Sequence, residues 1–166
     1  MSSATIKNMR LIWALLIASA AASGQVVSRT LPKIARLKPR AFPELPANLL
    51  RELNRRSCRI PQVRPYNVRE CRIRGEFAGP GQTDWAVLCS KGSVTTLLVF
   101  WNGSERNPAV VMTSGYPPYW SISAASPDRI KTEHQGLVVS SAADHTIFYY
   151  KSSTWQAIEH VVDRIY

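Results

Sequence analysis

The segment from Gly75 to Cys89, Gly-Glu-Phe-Ala-Gly-Pro-Gly-Gln-Thr-Asp-Trp-Ala-Val-Leu-Cys, limits the possible folds of this chain more than any other stretch. Gly75, Gly79, Pro80 and Gly81 demand a tight turn, because glycine alone enters positive φ without a Cβ clash and proline presets the bend. The residues that follow are apolar on both faces of a two-residue period. Trp85, Val87 and Cys89 fall on one side, and Ala86 and Leu88 on the other. A strand of this kind sits inside a sheet that is covered on both faces.

From about Val68 onward the pattern is short β-type runs separated by turn residues. The expected strands are 69–77, 85–89, 95–101, 109–113, 136–140, 146–150 and 155–159. Lys91-Gly92-Ser93, Asn102-Gly103-Ser104 and Lys151-Ser152-Ser153 are short enough to make antiparallel hairpins. Pro117 and Pro118 turn the stretch around Tyr116, Tyr119 and Trp120 into a loop. Upstream, Leu49, Leu50 and Leu53 share a helical face and Arg55 and Arg56 follow at its C-terminal end, which predicts one short amphipathic helix packed on the sheet. Residues 25–46, with Pro32, Pro39, Pro43 and Pro46 among basic residues, read as an extended linker or tail. The expected fold is mainly β: an antiparallel meander, as a sheet or a partial propeller- or sandwich-like arrangement, with one short N-terminal amphipathic helix. Residues 47–166 make one β-rich domain.

The N-terminus has the order of a signal peptide. Lys7 and Arg10 precede an apolar run from Leu11 to Ala22, and small residues Ser23 and Gly24 follow. The run is too short for a spanning helix, which needs about 20 residues. Cleavage is expected after Gly24, with a cut after Ala20 as the alternative and an uncleaved anchor as the rival reading. The mature chain is then exported, periplasmic or extracellular, and not integral to the membrane.

Charge is distributed unevenly. Between Arg29 and Arg74 there are 13 basic residues against Glu44, Glu52 and Glu70, whereas residues 75–166 hold 6 basic and 8 acidic ones. Such a field attracts anionic polymers in a salt-dependent manner, and Arg55, Arg56 and Arg59 are candidates for that surface. The plainer reading is a solvated basic face that keeps the protein soluble. No specific nucleic-acid motif is present. Tyr116, Tyr119 and Trp120, with Trp101 and Trp155, form a second candidate surface, for sugars or a protein partner.

Reactive chemistry finds little support. His134, His145 and His160 are well separated along the chain, and their carboxylate neighbours Glu133, Asp144 and Glu159 are adjacent in sequence, so in a strand they point to opposite faces. There is no G-x-S-x-G, H-E-x-x-H or phosphate-loop pattern. No enzyme activity and no cofactor are expected. The three cysteines allow one bridge with one thiol over, and the count leaves the pairing open.

Residues Gly75 to Val87 resemble a single FG-GAP or related calcium-loop repeat through Gly75, Phe77, Gly79, Gly81, Asp84, Ala86 and Val87. Glu76, Ala78 and Pro80 stand where that pattern has Asp, Asn and Asp. Ala78 and Pro80 offer no side-chain oxygen to a cation that wants six to eight, so Glu76 and Asp84 are at most vestigial ligands and Asp84 is expected to bond the turn amides instead. More broadly, Cys58-Arg59-Ile60-Pro61-Gln62, Gly75 to Ser90, Leu97 to Trp101 and Thr146 to Trp155 resemble a family of uncharacterised secreted bacterial proteins. The resemblance covers about residues 46–160 and implies a disulfide between Cys58 and Cys89. Cys71 departs from that family's pattern. The functional expectation is a non-catalytic secreted or periplasmic envelope module with a binding or structural role, its partner an envelope component such as an anionic polymer or a protein. A secreted inhibitor or a polyanion- or glycan-binding protein is the alternative, and a hydrolase without a recognisable motif the third.

Overall fold

A computed structural model of the chain describes residues 33–64, 71–115, 121–141 and 145–160. The signal-peptide reading and the Tyr116, Tyr119 and Trp120 surface lie outside the described residues.

Among the described residues ten strands pair only antiparallel, in three sheets. Strands β1 (Lys33–Leu37) and β2 (Ile60–Arg64) form a two-stranded ribbon. A first four-stranded meander follows in chain order as β3 (Arg72–Gly75), β4 (Asp84–Lys91), β5 (Val94–Phe100) and β6 (Ala109–Ser114). A second meander has the same simple order, β7 (Ser121–Ala125), β8 (Gly136–Ser140), β9 (His145–Lys151) and β10 (Thr154–His160). Their first strands, β3 and β7, are neighbours, so the two meanders meet along a seam. Two α-helices, α1 (Ala47–Arg55) and the single turn α2 (Pro127–Ile130), and two 3-10 turns, Pro39–Ala41 and Trp101–Gly103, complete the described elements.

The expected mainly β, antiparallel fold with a short helix is what the chain adopts. Strand β4 is central, with β3 and β5 on its two edges, and Ala86, Val87 and Leu88 are fully buried. Leu49 and Leu53 of α1 are also fully buried, in one core with Phe77, Leu97, Val99 and Phe100 of the first meander and Leu137 and Val139 of the second. The period of two along β8 sends Val138 the other way, into a smaller cluster with Ile130 and Ile147.

Two expectations are corrected. Residues 33–46 are not an extended tail, because β1 pairs with β2 and Phe42 and Leu45 are buried in the main core. The first expected strand, 69–77, is shorter where described: β3 ends at Gly75, where the chain turns. The connection after β5 does join an antiparallel pair, β5 with β6, but through a loop longer than its turn residues. Asn102 and Gly103 both take positive φ within a 3-10 turn, and β6 begins only at Ala109. The other two hairpins are tight. Gly92 takes φ of 60° in the two-residue loop between β4 and β5, while Ser152 and Ser153, at 51° and 64°, form a type I′ turn between β9 and β10.

The ribbon is fastened to β4. Arg59 and Ser90 exchange backbone hydrogen bonds at 3.0 and 2.7 Å, and beside them Cys58 and Cys89 form the disulfide that the resemblance implied, with Cα atoms 5.2 Å apart. Cys71 is buried just before β3, outside the bridge.

Two outcomes are expected in denaturant melts. The bridge closes a separation of 31 residues, so replacing both Cys58 and Cys89 by Ser should lower stability by about 3–4 kcal/mol in the chain-entropy account. At Gly136 an added Cβ would stand 2.7 Å from the Phe148 carbonyl oxygen, so Gly136→Ala should cost about 1–3 kcal/mol by forcing β8 and β9 apart.

Candidate functional site

The glycine-rich turn is organised by one carboxylate. Asp84 is fully buried at the start of β4, and its Oδ2 accepts from the backbone N–H groups of Phe77 and Ala78 at 3.0 and 2.9 Å. Its Oδ1 accepts from the Gln82 side-chain amide at 2.7 Å and the Asn102 backbone N–H at 2.8 Å. Four donors thus replace the water that an ionised carboxylate loses on burial. The same donors turn positive N–H dipoles toward the place a cation would occupy, so the loop holds its shape by amides. Glu76, which the resemblance paired with Asp84, is exposed and does not join it in this network. Among the described residues, no group of three or more His, Cys, Asp or Glu is placed to hold a metal ion.

The seam is closed next to this turn. The Glu76 N–H donates to Gln135 Oε1 at 3.0 Å, and the Gln135 N–H donates to the Glu76 carbonyl at 2.9 Å. Gly75 permits the approach, since a Cβ there would lie 2.6 Å from both Gln135 Oε1 and the buried Phe77 ring.

Two adjoining clefts of about 450 Å³ each open at the seam, sharing Glu133 and His134. One runs along the β3 side, past Arg74, Glu76 and Thr83. The other is framed by Ala78, Lys131, Tyr150, Lys151, Ser152 and Ser153. Lys131, Ser152 and Ser153 all have left-handed φ, between 51° and 64°, at a cost of about 1 kcal/mol each for residues with a Cβ. Nδ1 of His134 lies 3.1 Å from the Gln135 carbonyl oxygen, which only accepts, so Nδ1 is the donor in this contact.

Aromatic residues support this cleft from behind. Trp101 stacks on Trp155 with ring centres 5.8 Å apart and planes 12° from parallel, and Tyr150 packs on both, 4.9 Å from Trp101 and 5.5 Å from Trp155. The sequence-expected pair Trp101 and Trp155 is therefore brought together. Its role is to join the end of β5 to the β9–β10 hairpin.

The basic candidates separate. Arg55 and Arg56 both bond the Glu52 carboxylate, each with a contact of 2.6 Å, forming a clasp on α1. Arg59 is exposed on the ribbon. Arg72 is buried, paired with Glu44 and stacked over the Phe42 ring with its guanidinium carbon 4.5 Å from the ring centre. Burial pushes the Arg72 pKa down from its ordinary value. The Glu52 carboxyl is held down to about 2, chiefly by the hydrogen bond from Arg55, with burial opposing and Arg56 assisting. Of the histidines, His134 lines the clefts, and the β9–β10 register sets His160 opposite His145 although they are far apart in sequence.

No protein family, curated protein or solved structure matches this chain.

Asp84→Asn should lower unfolding stability by about 3 kcal/mol, because an amide NH₂ in place of one oxygen faces donors it cannot accept from. Millimolar calcium should leave the wild-type melting temperature where EDTA leaves it. For Glu52 the folded carboxyl titrates near 2 against an ordinary 4.5, so its contribution is fully present above pH 4.5 and is lost as pH falls toward 2. Since Arg55 is 71% exposed, water screens much of the pairing, and Glu52→Gln should flatten that acid limb by about 1 kcal/mol in urea melts at pH 2–5.

Proposed function

We propose that this chain is an exported, non-catalytic binding module that engages an anionic polymer of the cell envelope through the basic face of its N-terminal ribbon. The observation that carries this reading is how Glu44 and Glu52, the described acidic residues of the basic third, are used. Glu44 pairs with buried Arg72, and Glu52 pairs with Arg55 and Arg56. Neither is left to neutralise the ribbon.

On the ribbon, Leu37 pairs with Ile60, and Lys38 and Arg59 are the residues just beyond that last pair. Arg36 alternates with Leu37 along β1 and so takes the opposite face, and Lys38 follows immediately after the strand. Burial agrees: Arg36, Lys38 and Arg59 are exposed, Ile60 is buried and Leu37 is half-buried. Arg40, in the 3-10 turn that follows, is exposed as well. Four exposed cations on and beside the ribbon suit a repeating phosphate or carboxylate polymer, for which guanidinium forks and ammonium groups release condensed counterions on binding. The disulfide and the Arg59–Ser90 backbone pair hold this ribbon against β4, so the charges are presented on a fixed frame. Among the described residues no helix is long and apolar enough to cross a membrane.

The test is a titration with long-chain polyphosphate at salt concentrations from about 50 to 200 mM. Neutralising four phosphates should give a slope of log affinity against log salt of about −3. Changing Arg36, Lys38, Arg40 and Arg59 together to Ala should bring the slope close to zero. Arg55→Ala with Arg56→Ala should change the slope by less than about one. Salt-independent binding, or an unaltered slope in the fourfold variant, would remove the reading.

A further inference from the structure

The cleft beside the β9–β10 hairpin has features the ribbon reading leaves unused, and we infer that it is a binding site for an anionic sugar, a pyranose ring carrying a carboxylate or a phosphate. The inference stands apart from the ribbon and does not depend on it.

Backbone geometry comes first. Six non-glycine residues with positive φ are found among the described residues, and three of them, Lys131, Ser152 and Ser153, line this cleft. A type I′ turn is most easily made by Asn-Gly, yet here it is made by two serines. The turn therefore keeps a less favourable backbone and retains two hydroxyls at the mouth. Lys131 takes the left-handed position that ends α2, where glycine is the usual choice, and so sets an ammonium group at the same mouth.

The chemistry around the space is mixed in a way that suits such a ligand. Lys131 and Lys151 are exposed and can meet one anionic group from two sides as point charges. Ser152 and Ser153 can donate to or accept from ring hydroxyls. Glu133 and His134, both lining the cleft, add polar groups that further ring hydroxyls can bond. Glu133 also offsets one of the two lysine charges, which disfavours a ligand that is only an anion and favours one that brings hydroxyls. Tyr150 supplies an aromatic wall for the C–H face of a pyranose, and its contacts with Trp101 and Trp155 fix the ring in place. The volume, about 450 Å³, lies within the range of small-molecule sites and exceeds what one inorganic ion needs.

Trp101 and Trp155 report on Tyr150, so tryptophan fluorescence of the whole chain can follow titrations with glucose 6-phosphate, glucuronate, glucose and inorganic phosphate. At least one of the two anionic sugars should bind saturably, about tenfold more tightly than glucose and than phosphate, and the better of the two identifies the anion. Lys131→Ala with Lys151→Ala should abolish that tenfold preference. Both positions are exposed, so the melting temperature should be kept. In a second variant, Ser152→Asn with Ser153→Gly should raise the melting temperature while weakening the anionic sugar severalfold, separating ligand contacts from fold. The inference is overturned if no sugar saturates, if glucose or phosphate binds as tightly as the anionic sugars, or if the double lysine variant keeps the preference.

Discussion

The four hydrogen bonds to Asp84 are the constraint on which the arrangement depends. A buried carboxylate without a counter-cation is tolerated only when its oxygens are fully occupied by donors, and here the donors come from three separate places: the turn backbone, the Gln82 side chain and the backbone after β5. Because Phe77 and Ala78 are held, the chain leaves β3 in a fixed direction. Because Phe77 is held, its fully buried ring anchors the turn in the main core. Glu76 is then placed for its reciprocal bonds with Gln135, and the seam between the meanders forms where the turn presents itself. Asn102, on the same carboxylate, carries the constraint to Trp101 and so to the aromatic group under the hairpin.

Charge is managed by a second set of pairings. Among the described residues, Arg72 is the one arginine of the basic region that is taken into the core, where both an acid and an aromatic face receive it. Glu52 answers two arginines at the C-terminal end of α1, where guanidinium groups also meet the helix dipole favourably. Asn48, near the start of the same helix, donates to the Gly103 carbonyl at 2.8 Å and to Glu105 at 2.7 Å, and that bond holds the Glu105 carboxyl below its ordinary pKa. The helix is thus tied at both ends by groups that leave the outer cations of the ribbon untouched.

Legibility in the sequence followed the range of the interactions. Strands β4, β5, β8, β9 and β10 announce themselves by runs of Val, Ile, Leu and aromatic residues between turn residues, and the bond of Asp84 to its own turn spans only six or seven positions. Strand β2 hid behind Pro61, which is acceptable because the ribbon has outer edges that need no donor. β1 has only Ile34 and Leu37 as large apolar residues among basic ones, and β7, Ser-Ile-Ser-Ala-Ala, lacks the bulk that marks a strand. Their pairing comes from partners elsewhere in the chain. The clefts are less legible still, being assembled from the turn at Ala78, the loop at Lys131 to Gln135 and the hairpin at Tyr150 to Ser153. No local pattern links those segments. The positive φ values that single out Lys131 and the two serines are properties of the folded backbone, since serine and lysine carry no sequence signal for that region.

That last point separates the two kinds of turn in the molecule. At Gly81 and Gly92 the left-handed region is occupied by glycine, and the backbone is satisfied without cost. At Ser152 and Ser153 the same region is occupied by side chains with hydroxyls, although β9 and β10 pair without interruption from His145 to His160 and would be served better by Asn-Gly. Long register and the Trp101, Tyr150 and Trp155 packing over-determine the hairpin, so it can bear a strained tip. Strain of this kind persists where the surrounding structure supports it, and what it preserves at this position is polar chemistry facing an open cleft.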